Sequence, residues 1–387
     1  MITSPAFRGK RYAVLGLARS GRATAEALVA SGAEVTAWDS REEARAAVAA
    51  KAELADPLEI DLSGYDGVVV SPGVPLNTHP IAAKARAAGV PVIGDIELFA
   101  QARPSLPPHK VVGITGTNGK STTTALVHHI LKTAGVPTTM GGNIGLPILA
   151  QDPLSDGGVY VLELSSYQID LTFSLDCDVA VLLNVTPDHL DRYESFDAYA
   201  ASKARLFEMQ TASHSAFIGI NDVESRKIEA RLLETTSLLV GAIDPLIVID
   251  ERAWPSLQGP HNAQNAAAAI GVCEVLGVDD DDINEGLYSY PGLPHRMERI
   301  AEKNGILFVN DSKATNPEST APALAAYPYI HWIVGGRAKS DGLGPCADQL
   351  GHVRAAYTIG EAGPMFARLL EGRVPVRRSE YLAAAES

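Results

Sequence analysis

The stretch Val111-Val-Gly-Ile-Thr-Gly-Thr-Asn-Gly-Lys-Ser121 decides the fold. An apolar run closes on a glycine-rich turn, and a helical run, Thr122–Thr133, follows at once. Glycines let successive backbone N–H groups turn inward around phosphate oxygens. Lys120 adds a point charge for β/γ-phosphates, and the Ser121 hydroxyl is a ligand for Mg²⁺. The strict GxxxxGK[ST] pattern would place glycine where Ile114 stands. The plainer alternative is a glycine-rich βα turn with a surface lysine.

Two further apolar runs end in glycine turns, Tyr12-Ala-Val-Leu-Gly-Leu-Ala-Arg-Ser-Gly21 and Trp332-Ile-Val-Gly-Gly-Arg-Ala-Lys339. Short β-branched runs leading through glycine into Ala-rich stretches are βα units of parallel sheets. The first third gives strands Tyr12–Leu15, Glu34–Trp38 and Gly67–Val70, with helices Gly21–Ser31 and Arg41–Ala52 between them. Arg103-Pro-Ser-Leu-Pro-Pro-His109 reads as a linker, because proline continues neither a helix nor a central strand. Beyond it the expected strands are Val111 onward, Val159–Glu163, Val179–Leu183 and Ala216–Ile220, with a helix at Asn262–Leu276. After a second break at Pro291–Pro294, a third βα layer is expected from Leu307–Asn310, Ile330–Val334, Ala356–Ile359, the helical stretch Ala362–Glu371, Val374–Val376 and Ser379–Ala385.

At roughly 100–200 residues per domain, 387 residues make two to three domains. A hydrophobic content of 46%, 20% charged residues and a mean hydropathy of +0.04 exclude wholesale disorder, a coiled coil and a collagen-like rod. The net charge of −14 leaves no basic face for nucleic acid or an anionic membrane. Any phosphate must be held by local loops and a few placed cations. Cys177, Cys273 and Cys346 are isolated and form no CxxC pair or zinc spacing, which fits a reducing cytoplasm. No apolar run approaches the ~20 residues that span a bilayer, and Met1–Arg11 is too polar and short for a signal peptide. The expectation is a soluble, cytoplasmic, multidomain α/β protein.

Gly16-x-Ala18-x-x-Gly21, followed by Asp39, has the form of a dinucleotide fingerprint, although Ala18 would crowd a pyrophosphate. A βα turn with no ligand fits it too. Ser71-Pro-Gly-Val-Pro75 adds a second glycine turn after the third strand, and two such turns make a crevice suited to a diphosphate. Four later patches are too polar for core: Gly141-Gly-Asn-Ile-Gly145, Glu163-Leu-Ser-Ser-Tyr-Gln168, Asn184-Val-Thr-Pro-Asp-His-Leu-Asp-Arg-Tyr193, and Lys203. Glu163 ends a strand on the phosphate-loop edge, within reach of the same Mg²⁺ as Ser121. Taken alone, His189 is an ordinary loop histidine and Lys203 a solvated helix lysine.

These patches, with Asp311-Ser-Lys-Ala-Thr-Asn316, occur in an order that resembles the ATP-dependent Mur ligases of peptidoglycan synthesis. With Gly292-Leu-Pro-His-Arg-Met297, the Asp311–Asn316 run is similar to the branch that adds D-glutamate to UDP-N-acetylmuramoyl-L-alanine. The resemblance implies three domains: residues 1–103, Rossmann-like, for the UDP substrate; 104–293, a central ATP-binding phosphate-loop domain; and 294–387, Rossmann-like, for the amino acid. It implies ATP and two Mg²⁺ ions as cofactors. Arg19, Ser20, Gly21, Asp39, Ser40, Ser71, Gly73, Asn143 and His189 then hold the UDP substrate, which replaces the dinucleotide reading. Gly116, Thr117, Asn118, Gly119, Lys120, Ser121, Thr122, Asn262, Asn265, Arg296 and Asp311 hold ATP. Lys313, Thr315 and Lys339 take the D-glutamate carboxylates. Lys120, Glu163, His189 and Lys203 are the catalytic set, and Ser121, Glu163, His189 and a carbamylated Lys203 are the metal ligands. The enzyme is expected to work as a monomer.

The family's C-terminal Ser-Pro-Ala…Ser-x-Asp-x-Phe motif is missing before Ser387, so the last domain is expected to be incomplete. Three rival readings remain. One is a truncated, ligation-deficient protein that still binds the UDP substrate and ATP. A second is a ligase for another amino acid, folate polyglutamate ligase included. The third is an NAD-dependent oxidoreductase, which leaves the phosphate loop unexplained.

Overall fold

A computed structural model describes residues 1–244, 253–338 and 341–379. The chain divides into two compact units, residues 1–244 with 268–286, and 245–267 with 287–387.

In the first unit, β1 (Arg11–Leu15) runs into α1 (Arg19–Ala30), followed by β2 (Glu34–Trp38), the short α2 (Glu42–Ala46), β3 (Glu53–Leu54), β4 (Gly67–Val70), α3 (Ile81–Ala87), β5 (Val92–Ile93) and α4 (Asp95–Ala102). The five strands form one parallel sheet ordered β3-β2-β1-β4-β5. The order reverses at β1, so the turn after β1 opens between the ends of β2 and β4, where a parallel sheet leaves a crevice. The helix expected over Arg41–Ala52 stops at Ala46, and turns carry the chain to β3.

The expected linker is a single 3₁₀ turn, Arg103–Ser105, and His109 already begins β6 (His109–Thr115). There follow α5 (Lys120–Thr133), β7 (Thr138–Gly142), β8 (Gly158–Glu163), α6 (Ser166–Asp170), β9 (Val179–Leu182), α7 (Phe196–Glu208), β10 (Ser215–Gly219), α8 (Val223–Thr235) and β11 (Leu239–Ile243). All six strands are parallel, in the order β11-β10-β9-β6-β8-β7. β6 is the reversal point here, so the glycine loop stands where the sheet opens. β6, β8 and β9 are almost wholly buried runs, as strands covered by helices on both faces must be. β7, half exposed at the edge, has no strong apolar signature.

The two sheets of this unit are joined across α4. Glu97 is buried; its Oε2 accepts from the Phe173 and Ser174 N–H groups at 2.7 and 2.9 Å, and its Oε1 from Ser174 Oγ at 2.7 Å.

Later in the chain come α9 (Pro260–Leu276) and α10 (Asp280–Ser289), then β12 (Glu298–Lys303), β13 (Ile306–Asn310), α11 (Pro317–Ala325), β14 (Ile330–Gly335), β15 (Val353–Ile359), α12 (Gly363–Leu370) and β16 (Val376–Arg378). The expected third layer is corrected in one respect. Leu307–Asn310 does not join a parallel sheet; it pairs with β12 as an antiparallel hairpin. Asn304 and Gly305, with φ of 54° and 76°, form the two-residue turn that closes it. β14, β15 and β16 make a separate three-stranded parallel sheet. The expected segment Ser379–Ala385 lies outside the described residues except for Ser379.

Asp95, at the start of α4, is buried, and among the described residues neither of its carboxylate oxygens makes a well-formed hydrogen bond. Burial raises its carboxyl to about 6, opposed in part by the N–H groups of Ile96 and Asp95 itself. A carboxyl raised in the folded state favours folding below its unfolded pKa, and that contribution is lost as pH climbs through 6. Asp95→Asn should therefore leave stability unchanged near pH 4 and raise it by up to about 3 kcal/mol at pH 7.5. Urea titrations at the two pH values measure the difference; an equal effect at both would show that the carboxyl is not the source.

Candidate active site

The glycine loop between β6 and α5 is held from beneath by Asn184, the residue two beyond β9. Thr117 N–H donates to Asn184 O at 2.9 Å, Asn118 N–H donates to Asn184 Oδ1 at 2.9 Å, and Asn184 Nδ2 returns a bond to Asn118 O at 3.1 Å. Asn184 was visible in sequence only as a polar residue after a strand. The structure shows it as the clamp of the loop. Gly119 caps α5 with φ +88°, a backbone that glycine adopts without penalty. Lys120 folds back over the loop, its Nζ donating to Gly116 O and Thr117 O, each at 2.9 Å. Ser121 and Thr122 open α5.

Lys203 corrects the reading of a solvated lysine. It projects from α7 into the sheet edge and is only 1% exposed. Its Nζ donates to Gly116 O at 2.9 Å and lies 4.5 Å above the centre of the Tyr199 ring. Burial pushes its amine well below the ordinary lysine range, and the Lys120 charge adds to this. Thr117 completes the floor: its Oγ1 lies 3.1 Å from Thr186 O and 3.2 Å from Tyr199 Oη, and it accepts from Thr186 N–H at 3.0 Å.

Glu163, the last residue of β8, is buried. Its Oε1 accepts from Asn143 Nδ2 at 2.7 Å, while Oε2 has no hydrogen-bond partner among the described residues. His189 sits in the loop after β9 in a left-handed conformation, φ 54°, with its ring 5.0 Å from that of Tyr167. Its side chain is 44% exposed, and burial of the rest lowers its pKa, against an opposing Asp188.

At the first sheet, Asp39 binds inward: Oδ2 accepts from Leu17 N–H at 2.7 Å and Oδ1 from Arg41 N–H at 2.9 Å. The Arg41 guanidinium beside it lowers its carboxyl to about 2. Ser71 Oγ donates to Gly16 O at 2.7 Å, tying the two glycine turns together. Gly21 is required by space, since a Cβ there would stand 1.8 Å from Gly16 O. Arg19 donates to Gly145 O, Ser20 lies in the first turn of α1, and Ser40 O accepts from Arg45. Gly73 faces open space.

Asn262, Asn265, Arg296, Asp311, Lys313 and Thr315 belong to the second compact unit. Asn265 Nδ2 donates to Asn262 Oδ1 at 3.0 Å, and Asp311 Oδ1 accepts from Met297 N–H at 3.0 Å. Burial raises the Asp311 carboxyl to about 6. His295, quoted in the sequence only as part of the Gly292–Met297 run and given no role there, adopts φ 64°, accepts from Asn310 Nδ2 at 2.7 Å and receives Lys313 N–H on its carbonyl. No residue-type pattern flags such a strained position. Lys339 lies outside the described residues.

Among the described residues no three His, Cys, Asp or Glu side chains cluster as a metal cage. The buried, unpartnered Glu163 Oε2 nevertheless fits a cation, and a hydroxyl with a carboxylate is a donor set for Mg²⁺. His189, with its proton affinity lowered, fits as a neutral imidazole. Lys203 fits only if its amine is converted to an oxygen donor.

Residues 10–94 match the Mur ligase MurD-like N-terminal domain, and residues 114–241 match the Mur ligase middle domain. A UDP-N-acetylmuramoylalanine–D-glutamate ligase from Novosphingobium aromaticivorans is 65% identical over 387 residues, all of this chain and 87% of that protein. The chain belongs to the Mur ligase family. The ligase of the same name from Sphingopyxis alaskensis is 61% identical, with 100% of this chain and 90% of that protein covered. Among solved structures, MurF from Acinetobacter baumannii superposes with a TM-score of 0.63 at 20% identity, covering 99% of this chain and 84% of MurF. The MurC ligase of Thermotoga maritima gives 0.57 at 18% identity, covering 96% and 90%. The α/β, parallel-sheet architecture is thus that of the three-domain Mur ligases, and this Mur ligase is an ATP-dependent ligase. No described helix is long and apolar enough to cross a membrane.

Thr117→Val keeps the shape of the side chain and removes its bonds to Thr186 and Tyr199. The Thr186 N–H would be left without its acceptor, so this Mur ligase should lose about 1–3 kcal/mol of stability. Denaturant titration reads the loss, and an unchanged midpoint would show that the hydroxyl is dispensable.

Proposed function

We propose that this Mur ligase adds D-glutamate to UDP-N-acetylmuramoyl-L-alanine in peptidoglycan precursor synthesis, working as a cytoplasmic monomer. The observation that carries the choice of substrates is the 65% identity, along the whole chain, to a ligase of that name. Residues 1–103, 104–293 and 294–387 are then the UDP-substrate, ATP and amino-acid domains. Nothing in the structure or the relatives favours the ligation-deficient reading.

An amide cannot form directly from a carboxylate, because oxide is too poor a leaving group. The L-alanine carboxylate oxygen attacks the ATP γ-phosphorus, the bond to the β-phosphate oxygen breaks, and ADP leaves. The D-glutamate amine then attacks the carbonyl carbon of the acyl phosphate. The tetrahedral intermediate expels inorganic phosphate, and the amine proton passes to solvent. The chain contributes chiefly position and charge. The glycine loop Gly116–Ser121 holds the phosphates, its Thr117 and Asn118 N–H groups fixed on Asn184, and Lys120 neutralises charge on the β/γ bridge. Asn262, Asn265, Arg296 and Asp311 take adenine and ribose, while Lys313, Thr315 and Lys339 meet the D-glutamate carboxylates. Ser71, Gly73 and Asn143 line the muramoyl side, and Arg19, Ser20, Gly21, Asp39 and Ser40 the UDP. Ser121 and Glu163 would hold one Mg²⁺, which would draw charge off the β/γ-phosphates, and His189 with carbamylated Lys203 would hold a second, which would offset the repulsion between carboxylate and γ-phosphate. The depressed amine of Lys203 supports that modification: a neutral Nζ adds to CO₂, loses one proton and becomes an anionic oxygen donor.

Phosphate release with UDP-N-acetylmuramoyl-L-alanine, ATP and an amino-acid panel tests the assignment. Release should require D-glutamate, with L-glutamate at background; release driven by another amino acid overturns it. Lys203→Ala should lower turnover by about 10–100-fold or more and regain part of it with short carboxylic acids. Normal turnover by that variant would remove the carbamate from the scheme.

A further inference from the structure

Arg192 joins three pieces of the first compact unit that the ligase scheme needs in register. Its backbone N–H donates to His189 O at 2.9 Å, closing the turn in which His189 takes its left-handed conformation. Its Nη2 donates to Val74 O at 3.0 Å, in the turn that begins at Ser71 after β4. The face of the same guanidinium lies 4.4 Å from the centre of the Tyr167 ring, and Tyr167 stands against the His189 imidazole. A second tie runs beside it, from Asn77 Nδ2 to Asp191 O at 3.2 Å.

A left-handed backbone is strained for a non-glycine residue, so His189 keeps it only where its neighbours hold it. A planar guanidinium can stack on a ring with its face while an edge N–H reaches a carbonyl; an ammonium on a flexible stem cannot do both. Of the neighbouring residues, Asp191 gives only its carbonyl to Asn77, and Tyr193 stacks on Tyr167 with ring centres 6.0 Å apart but sends its Oη to Asp170 Oδ2 at 2.7 Å.

We propose that Arg192 is a positioning residue that locks the His189 turn to the Ser71–Val74 turn, so that the imidazole is set by the loop on the UDP-substrate side. The proposal rests on the reading of His189 and Ser71 as members of the ligase site. Hydrogen exchange on the full chain, without ligands, tests the lock independently of activity. In Arg192→Lys, exchange should quicken by about tenfold in residues 72–80 and 186–193 together, with the glycine loop unchanged. Quickening in one segment alone, or in neither, overturns the proposal.

Kinetics supplies the second arm. Arg192→Lys should lower kcat by about 10–100-fold while KM for ATP stays within about twofold, a split that general loosening of the fold would not produce. Tyr167→Leu should act alike, and the double variant should be no worse than the more impaired single one. Additive losses overturn the coupling. If the wild-type chain fails to turn over D-glutamate, the assignment of function falls, and the exchange result still decides the role of Arg192.

Discussion

A lysine amine taken out of water and set on a backbone carbonyl constrains the rest of this site. Lys203 can occupy the sheet edge only because Gly116 O accepts its proton and the Tyr199 ring faces it. Burial then disfavours its charge. Gly116 must therefore hold its carbonyl toward α7 while the next two N–H groups, of Thr117 and Asn118, go to Asn184. Asn184 and Thr117 enforce that orientation with side-chain bonds to the loop and to the strand end beneath it. The loop is shaped from below by polar groups as much as by its glycines.

The same economy of position appears at both sheets of the first unit. Each reverses its strand order at the strand that carries a glycine turn, β1 in one and β6 in the other. A parallel sheet opens at such a point, and neighbouring strand ends bring residues distant in sequence to its rim. Asp39 and Ser71 reach the turn after β1 in this way, and Glu163 and Asn184 reach the loop after β6. Glu97 holds the two sheets together through a buried carboxylate that takes three bonds from one short loop and one from Gln101 of its own helix. For a chain of net charge −14 this matters, because anionic ligands must be met by loop N–H groups and a few fixed cations rather than by a basic surface.

Much of the framework was legible in the residues. Buried parallel strands read as apolar runs, so β1, β2, β4, β6, β8, β9 and β10 fall close to where the runs predict them. Short or edge strands did not announce themselves: β3 and β5 have two residues each, and β7 is half exposed and ends in glycine. The hairpin of β12 and β13 was misread as part of a parallel layer, although Asn304-Gly305 carries the turn chemistry that produces it. In the site, the phosphate loop and the strand-end Glu163 were visible because a motif and a strand boundary locate them. Lys203 was singled out only through the resemblance and its burial not at all, since one lysine on a helix carries no sign of which face will be covered.

The sequence by itself determined the parallel α/β class, the phosphate loop and the family, because these depend on local pattern and on motifs kept in order along the chain. Only the tertiary structure decided that Lys203 is buried on Gly116, that Glu163 keeps one oxygen without a partner among the described residues, and that Arg192 binds the His189 turn to the loop after β4. The reason is physical. Burial, desolvation and a hydrogen bond between residues 118 positions apart are properties of neighbours in space, and local pattern does not record them.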